Sequence, residues 1–415
     1  MTSERGSDDG RQLPLQPGWT APEDEPQGDE HRLAPEGEDA PDEDALESED
    51  APDEDALESE DAPEREGDPE PWDAGPAPED EPHDDEHTVS APRAPRAGRR
   101  QGPRDAMFQG AVLGAALGDA VGHPTEFIAS FAGIRAKYGP EGVTGPTLFW
   151  ERDGKRFTPY TDDTQMAEVV LRSLLESRAQ SEDLDAAMRR MGRGFVEWAA
   201  HPQGGHRAPG NACLSGCRAL EQGVRWSEAG GATAGGCGSV MRAYPFGLVF
   251  AGDLHRAERW AVAHSRLTHG DPIALAACAA MAVGMARVVR GETLDVVLSE
   301  MVAAACRYCA KTAAMVATAI HEARTGVSPE VTLQRLQGWA AHEAIAAAAY
   351  VFARHPDDPG AAILEGANTP GDSDSIATLA GALVGARCGA LALPEAWVRD
   401  LERAEELRDL ALEIG

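Results

Sequence analysis

Lysine is absent from the first 90 residues, and aromatic and β-branched residues are scarce there. Pro, Glu and Asp fill the segment instead. Its 34 acidic residues against 4 arginines carry −30 of the chain's net charge of −34, which leaves −4 for everything that follows. A stretch so charged and so poor in apolar surface does not bury enough to offset the entropy of ordering. Residues 1–105 are therefore expected to form a disordered acidic arm and residues 106–415 a folded domain. Within the arm an 11-residue unit runs from Glu38 to Ser48, repeats from Glu49 to Ser59 and begins again at Glu60. Such a period suits a right-handed coiled coil, but a Pro in every unit and like charges throughout argue against one. The arm reads as a solubilising extension; the alternative is an appendage that docks on a basic partner. It closes on a short basic run, Arg93, Arg96, Arg99, Arg100 and Arg104.

Other absences narrow the class. No run reaches the roughly 18 uninterrupted apolar residues of a membrane span, the nearest being Ile273 to Ala286, which ends at Arg287. The opening Met1-Thr2-Ser3-Glu4-Arg5 lacks a basic-then-apolar signal pattern. A cytoplasmic protein without a membrane partner is expected. Seven cysteines in a large chain imply reduced, core-filling thiols rather than a disulfide framework. The pair Cys306 and Cys309 has no second such pair to complete a zinc site. A dinucleotide fingerprint is missing, and Gly154-Lys155 is followed by Arg156, so no phosphate-binding loop of the Walker type is present. Nucleic acid is not an expected partner.

From about Ala106 onward the text is helix after helix, joined by Gly/Pro/Asp loops. Gly110, Gly114 and Gly118 recur every fourth residue in the apolar stretch Phe108 to Val121, a flat stripe for close packing on another helix. Two oxygen-rich clusters stand out, Thr161-Asp162-Asp163-Thr164 and Asp372-Ser373-Asp374-Ser375. Apolar residues at helical spacing follow each one, Met166, Val169, Val170, Leu174 and Leu175 in the first case and Ile376, Leu379, Leu383 and Ala386 in the second. Each cluster is thus expected at the N-terminus of an amphipathic helix. Asp and Thr are favoured there as caps, yet a cap needs one oxygen and each cluster supplies several more. Four carboxylates converging from distant segments repel one another unless divalent cations lie between them.

These motifs together resemble the ADP-ribosylglycohydrolase family. The resemblance covers about residues 107 to 390. It rests on Gly110 to Gly122 with Pro124-Thr125-Glu126-Phe127, on Tyr160 to Met166, on Gly236-Cys237-Gly238-Ser239-Val240-Met241-Arg242, on Leu267-Thr268-His269-Gly270 and on Gly371 to Ile376. It implies an all-α orthogonal helical bundle with two Mg²⁺ or Mn²⁺ ions in a cleft. By matching motif, Thr161, Asp162 and Asp163 would ligate one ion and Asp372 and Ser375 the other, with Asp374 shared. Many members carry Thr where Ser375 stands, and both offer a hydroxyl oxygen. All-oxygen ligation suits Mg²⁺ and Mn²⁺ rather than zinc.

The implied activity is hydrolysis of the glycosidic bond between ADP-ribose and a modified protein side chain, arginine first among them. Glu126 and Asp163 are the carboxylates expected to move protons. The glycine-rich turn at Gly236, Cys237, Gly238 and Ser239 is expected to present backbone N–H groups to the diphosphate, with Asn211 and His269 as weaker substrate contacts. Two alternatives stay open. One keeps the fold and ions but takes another conjugate, of serine, a DNA base or a small molecule; the other is a binding or immunity protein that occludes a cognate ADP-ribosyltransferase.

Overall fold

The computed structural model describes residues 102–148, 150–152 and 154–415. The expected disordered arm, as far as residue 101, lies outside the described residues. The first helix begins at Pro103, inside the span assigned to the arm. Pro at its first position pre-sets the helical φ, and Asp105 accepts the Gly102 N–H at 2.9 Å.

In order, the helices are α1 (Pro103–Gly122), α2 (Phe131–Tyr138), α3 (Asp162–Ala179), α4 (Leu184–Ala200), α5 (Asn211–Glu221), α6 (Trp226–Ala229), α7 (Tyr244–Val249), α8 (Leu254–Ser265) and α9 (Pro272–Val289). There follow α10 (Leu294–Cys306), α11 (Ala310–Thr325), α12 (Pro329–Arg335), α13 (Ala341–Arg354), α14 (Pro359–Ala367), α15 (Ser373–Cys388), α16 (Glu395–Asp400) and α17 (Ala404–Leu412). The expected all-α class is borne out. One small hairpin interrupts it: β1 (Trp150–Arg152) pairs antiparallel with β2 (Lys155–Phe157), Trp150 opposite Phe157. Strands of three residues are too short for a period-two pattern to register in sequence.

The glycine stripe of α1 sets the architecture. A Cβ on Gly110 would lie 2.0 Å from the Gly385 carbonyl oxygen, one on Gly114 2.3 Å from that of Gly381, and one on Gly118 2.1 Å from that of Ala377. The two helices are in backbone contact along their length. Because residue numbers rise along α1 as they fall along α15, the pair is antiparallel, and the register ends with Gly122 against the backbone of Asp374. Packing alone thus delivers the C-terminus of α1 to the N-terminus of α15.

Helix α3 is amphipathic as expected, with Met166, Val170 and Leu174 buried and Arg172 and Glu176 exposed. Helix α15 departs from expectation. It is buried on every side from Ser373 to Ala386, and its Ala- and Gly-rich sequence has no polar face because α1, α9, α13 and α14 enclose it. Helix α9 is long and apolar enough, by length and composition, to cross a membrane. With 83% of it buried inside the fold, it serves here as a core helix packed on α7, α8, α10 and α13. All seven cysteines are free.

Candidate active site

The start of α3 is held from a different helix. Asp119, fully buried on α1, accepts the Thr161 and Thr164 backbone N–H groups at 2.8 and 3.0 Å and both their hydroxyls at 2.8 and 2.6 Å. It does the work of a cap in trans, since the Thr161 side chain makes no capping bond to its own helix. Just before it, the Tyr160 carbonyl accepts from Arg207, whose guanidinium also forms a buried ion pair with Glu402 at 2.6 Å and lies 4.3 Å over the Trp150 ring. These contacts leave Asp162 and Asp163 in the first turn, turned inward and buried.

Loops add to the packing on α1 in holding the start of α15. Gly371, with φ of 97°, takes the left-handed region that favours glycine; its N–H donates to the Ile128 carbonyl and its own carbonyl accepts from Phe127, both at 3.0 Å. The Asp372 N–H donates to Gln337 at 2.7 Å, and Ser373 Oγ donates to the Gly122 carbonyl at 2.9 Å. Asp372, the N-cap residue, makes no side-chain capping bond either. Capping therefore does not explain the oxygens of either cluster.

The clusters meet. Ser375 Oγ donates to Asp163 Oδ2 at 3.0 Å, with both residues buried. Two helix N-termini point at one group of carboxylates, and their partial positive charge favours anions there. It does not compensate for the crowding. Burial pushes the Asp162, Asp163, Asp372 and Glu126 carboxyls well above the ordinary carboxylate range, and in each the next largest contribution is the charge of Asp374. Asp119 is pushed up to about 7 by the same two causes, against its hydrogen bonds from Thr161 and Thr164. Asp374 is thus the electrostatic hub. Arg242 eases Asp162, but less than burial and the neighbouring carboxylates oppose it.

Glu126 follows the short 3-10 turn His123–Thr125 at the end of α1, and its Oε2 lies 3.2 Å from His123 Nδ1. Burial lowers the His123 pKa and raises that of Glu126, so both shifts disfavour the charged forms of the pair. His123, Glu126 and Asp374 offer ligand atoms within 4.8 Å of one another, a group able to hold a metal ion. With the Asp and hydroxyl oxygens beside it, the donor set is dominated by hard oxygen, which fits Mg²⁺ or Mn²⁺. The mutual repulsion of the carboxylates is what bound cations would relieve.

The glycine-rich turn borders this group. Cys237 Sγ lies 2.6 Å from Asp372 Oδ2 and 3.7 Å from Ser375 Oγ. The Cys237 N–H is taken by the Trp339 carbonyl at 3.1 Å and is not offered to a phosphate. A Cβ on Gly238 would fall 2.6 Å from Cys213 Sγ and 3.0 Å from His269 Cε1, which explains glycine there. The Ser239 hydroxyl faces the core, accepting from Ser265 Oγ at 2.9 Å. His269 is buried, with Nδ1 2.8 Å from Thr268 Oγ1, and burial followed by the Arg242 charge pushes it down to about 3. Arg242, fully buried, donates to Thr268 Oγ1 at 2.6 Å and to the Gly238 carbonyl, and stacks 4.5 Å over Phe195.

Of the residues singled out in the sequence, Asp162, Asp163, Asp372, Asp374, Ser375 and Glu126 come together, with Cys237 alongside, while the Thr161 hydroxyl is turned to Asp119. Asn211 begins α5 and is exposed, Gly236 and Gly238 lie near the His269 ring, and Ser239 turns away. Asp119 and His123 were not singled out. Asp119 carried a signal, being the only charge between Phe108 and Val121.

The pattern of the ADP-ribosylglycohydrolase family matches residues 100–415. An uncharacterized protein of Archaeoglobus fulgidus is 29% identical over 309 residues, 74% of this chain and 95% of its own. The ADP-ribosyl-[dinitrogen reductase] glycohydrolase of Rhodospirillum rubrum is 28% identical over 306 residues, 72% of this chain and 90% of its own. Among solved structures, an ADP-ribosylglycohydrolase-related protein complex shares the fold, with a TM-score of 0.55 and 24% identity over 75% of this chain and 98% of that one. With three quarters of its length matched, this chain belongs to the ADP-ribosylglycohydrolase family of hydrolases.

Proposed function

We propose that the protein is a divalent-cation-dependent hydrolase that cleaves the glycosidic bond between ADP-ribose and a modified arginine side chain of a protein. One observation carries the reading: two acidic clusters, separated by more than half the folded chain, join at the 3.0 Å bond from Ser375 to Asp163, and the charges of Asp374 and Asp372 in the second raise the pKa of Asp163 in the first. Thr161, Asp162 and Asp163 would hold one Mg²⁺ or Mn²⁺, Asp372 and Ser375 a second, and Asp374 both. Bound there, the cations supply an electrophilic grip on ribose hydroxyls and lower the pKa of the attacking water.

The chain's own groups move the protons. Glu126, pushed well up by burial and the charge of Asp374, is suited to carry a proton and to give it to the leaving nitrogen as the bond to the anomeric carbon breaks. Asp163 is the carboxylate suited to take the proton that water loses as the new C–O bond forms. Charge developing on the sugar ring is positive, and a carboxylate-lined cleft favours it.

Arginine is preferred because an acidic cleft attracts a cationic guanidinium more than a neutral hydroxyl. The Rhodospirillum rubrum relative, named for an ADP-ribosylated protein, supports a protein conjugate. Incubating the protein with ADP-ribosyl-arginine, ADP-ribosyl-serine and ADP-ribosyl-DNA, with Mg²⁺ or with EDTA, tests the reading. Cation-dependent release is expected, fastest from the arginine conjugate. Release from none of the three defeats it.

A further inference from the structure

Two of the six exposed large hydrophobic side chains among the described residues lie beside the carboxylates. Phe127 is 55% and Trp339 41% exposed, and their rings stack with centroids 5.3 Å apart at 29°. Both backbones are pinned to segments that build the site. Phe127 follows Glu126 directly, and its N–H donates to the carbonyl of Gly371, the residue before Asp372. Trp339 follows Gly338, where a Cβ would come within 3.0 Å of the Asp372 carbonyl oxygen, and its own carbonyl accepts the Cys237 N–H. Phe127 also has a φ of 67°, a left-handed conformation rarely held by a bulky residue without a functional reason. The backbone is strained while the ring is presented to solvent, where an aromatic side chain contributes little to folding.

We propose that the Phe127–Trp339 pair is the platform for the leaving group, receiving the guanidinium of the modified arginine on its open ring faces. This rests on the hydrolase reading above and deepens it. Location selects the occupant. Glu126 acts at the bond to the anomeric carbon, so the residue next to it lies by the leaving group, whereas adenine is separated from that carbon by both riboses and the diphosphate. Chemistry selects it further. A guanidinium is planar and weakly hydrated and stacks on aromatic faces through their quadrupole, and the carboxylates behind the platform attract the same cation. A serine-linked conjugate presents no cation for the rings to hold.

The test compares Trp339→Ala, Phe127→Leu and the conservative Trp339→Phe with the unaltered full chain in Mg²⁺. It measures kcat/KM on ADP-ribosyl-arginine and ADP-ribosyl-serine peptides, and the Kd of free ADP-ribose by calorimetry. Trp339→Ala and Phe127→Leu are expected to lose about tenfold in kcat/KM on the arginine conjugate, and Trp339→Phe to recover most of it. Serine-conjugate turnover and ADP-ribose affinity are expected to stay within about twofold. Equal losses on both conjugates, unchanged arginine turnover, or a weakened ADP-ribose Kd, which marks stacking on adenine instead, each overturn the proposal while leaving the hydrolase reading intact. An unaltered protein that binds ADP-ribose but releases nothing from the arginine conjugate overturns both.

Discussion

The Ser375 hydroxyl donates to Asp163 Oδ2 at 3.0 Å across 212 residues of chain. That bond is the point where the first turn of α3 meets the first turn of α15, and both turns are set there by α1. Asp119 holds α3, and the glycine stripe holds α15. One helix thus positions both halves of the acidic group, and the predictions below follow from that dependence.

Stability is expected to depend on pH in opposite senses with and without cations. Asp119 is pushed up to about 7, and Glu126, Asp162, Asp163 and Asp372 are raised as well, from values near 3.8 for Asp and 4.5 for Glu. A folded pKa above the unfolded one means that the native state holds more protons. The stabilisation is full below the unfolded values and is lost as pH rises through the folded ones. In EDTA, Tm should fall from about pH 5 to about pH 8, and Mg²⁺ or Mn²⁺ should raise it most at the upper end, where the ligands are deprotonated. Calorimetric scans showing the same pH profile in both conditions contradict this.

Asp374→Asn is expected to separate stability from activity. It removes the charge that most raises its neighbours, so the cation-free protein should unfold at a higher temperature than the parent. Turnover should fall by roughly 100-fold or more if Asp374 is the shared ligand proposed above. Thermal melts and single-substrate kinetics on the same preparations check both halves.

Asp119→Ala leaves two buried backbone N–H groups and two hydroxyls without their acceptor. A loss of about 3 kcal/mol in urea unfolding is expected, together with weaker cation binding as the start of α3 frays. A loss below about 1 kcal/mol would show that water or a neighbouring group replaces the carboxylate.

Gly118→Ala would put a methyl 2.1 Å from the Ala377 carbonyl oxygen, and a backbone atom cannot swing aside as a side chain can. A cost of about 3 kcal/mol is expected from overpacking. The same change moves Asp374 relative to Asp163, so Mn²⁺ affinity should drop as well. Gly139→Ala, where nothing lies within 4 Å but φ is 95°, provides the strain-only control and should leave Mn²⁺ affinity unchanged.

Much of this site was legible in the chain because its carboxylates are contiguous. Asp162 and Asp163 open α3, and Asp374 opens α15, so a reader of the sequence meets each half intact. The glycine spacing on α1 announced a close helix contact but not its partner, since Gly381 and Gly385 sit in a segment whose small residues look alike. Asp119 was passed over because its role exists only once α1 lies against residues 161 and 164. Arg207 and Glu402, 195 residues apart, have no sequence pattern linking them. Helix α15 was expected to have a polar face. Its lack of one reflects enclosure on all sides, which periodicity does not distinguish from a small-residue stripe.

The most direct test counts cations. Equilibrium dialysis of the parent protein against Mn²⁺ should give about two ions per chain, with both sites lost or strongly weakened in Asp374→Asn because that carboxylate serves each. No measurable Mn²⁺ binding by the parent, or the same stoichiometry and affinity in the variant, would contradict the claim that the two acidic segments form one cation-binding centre.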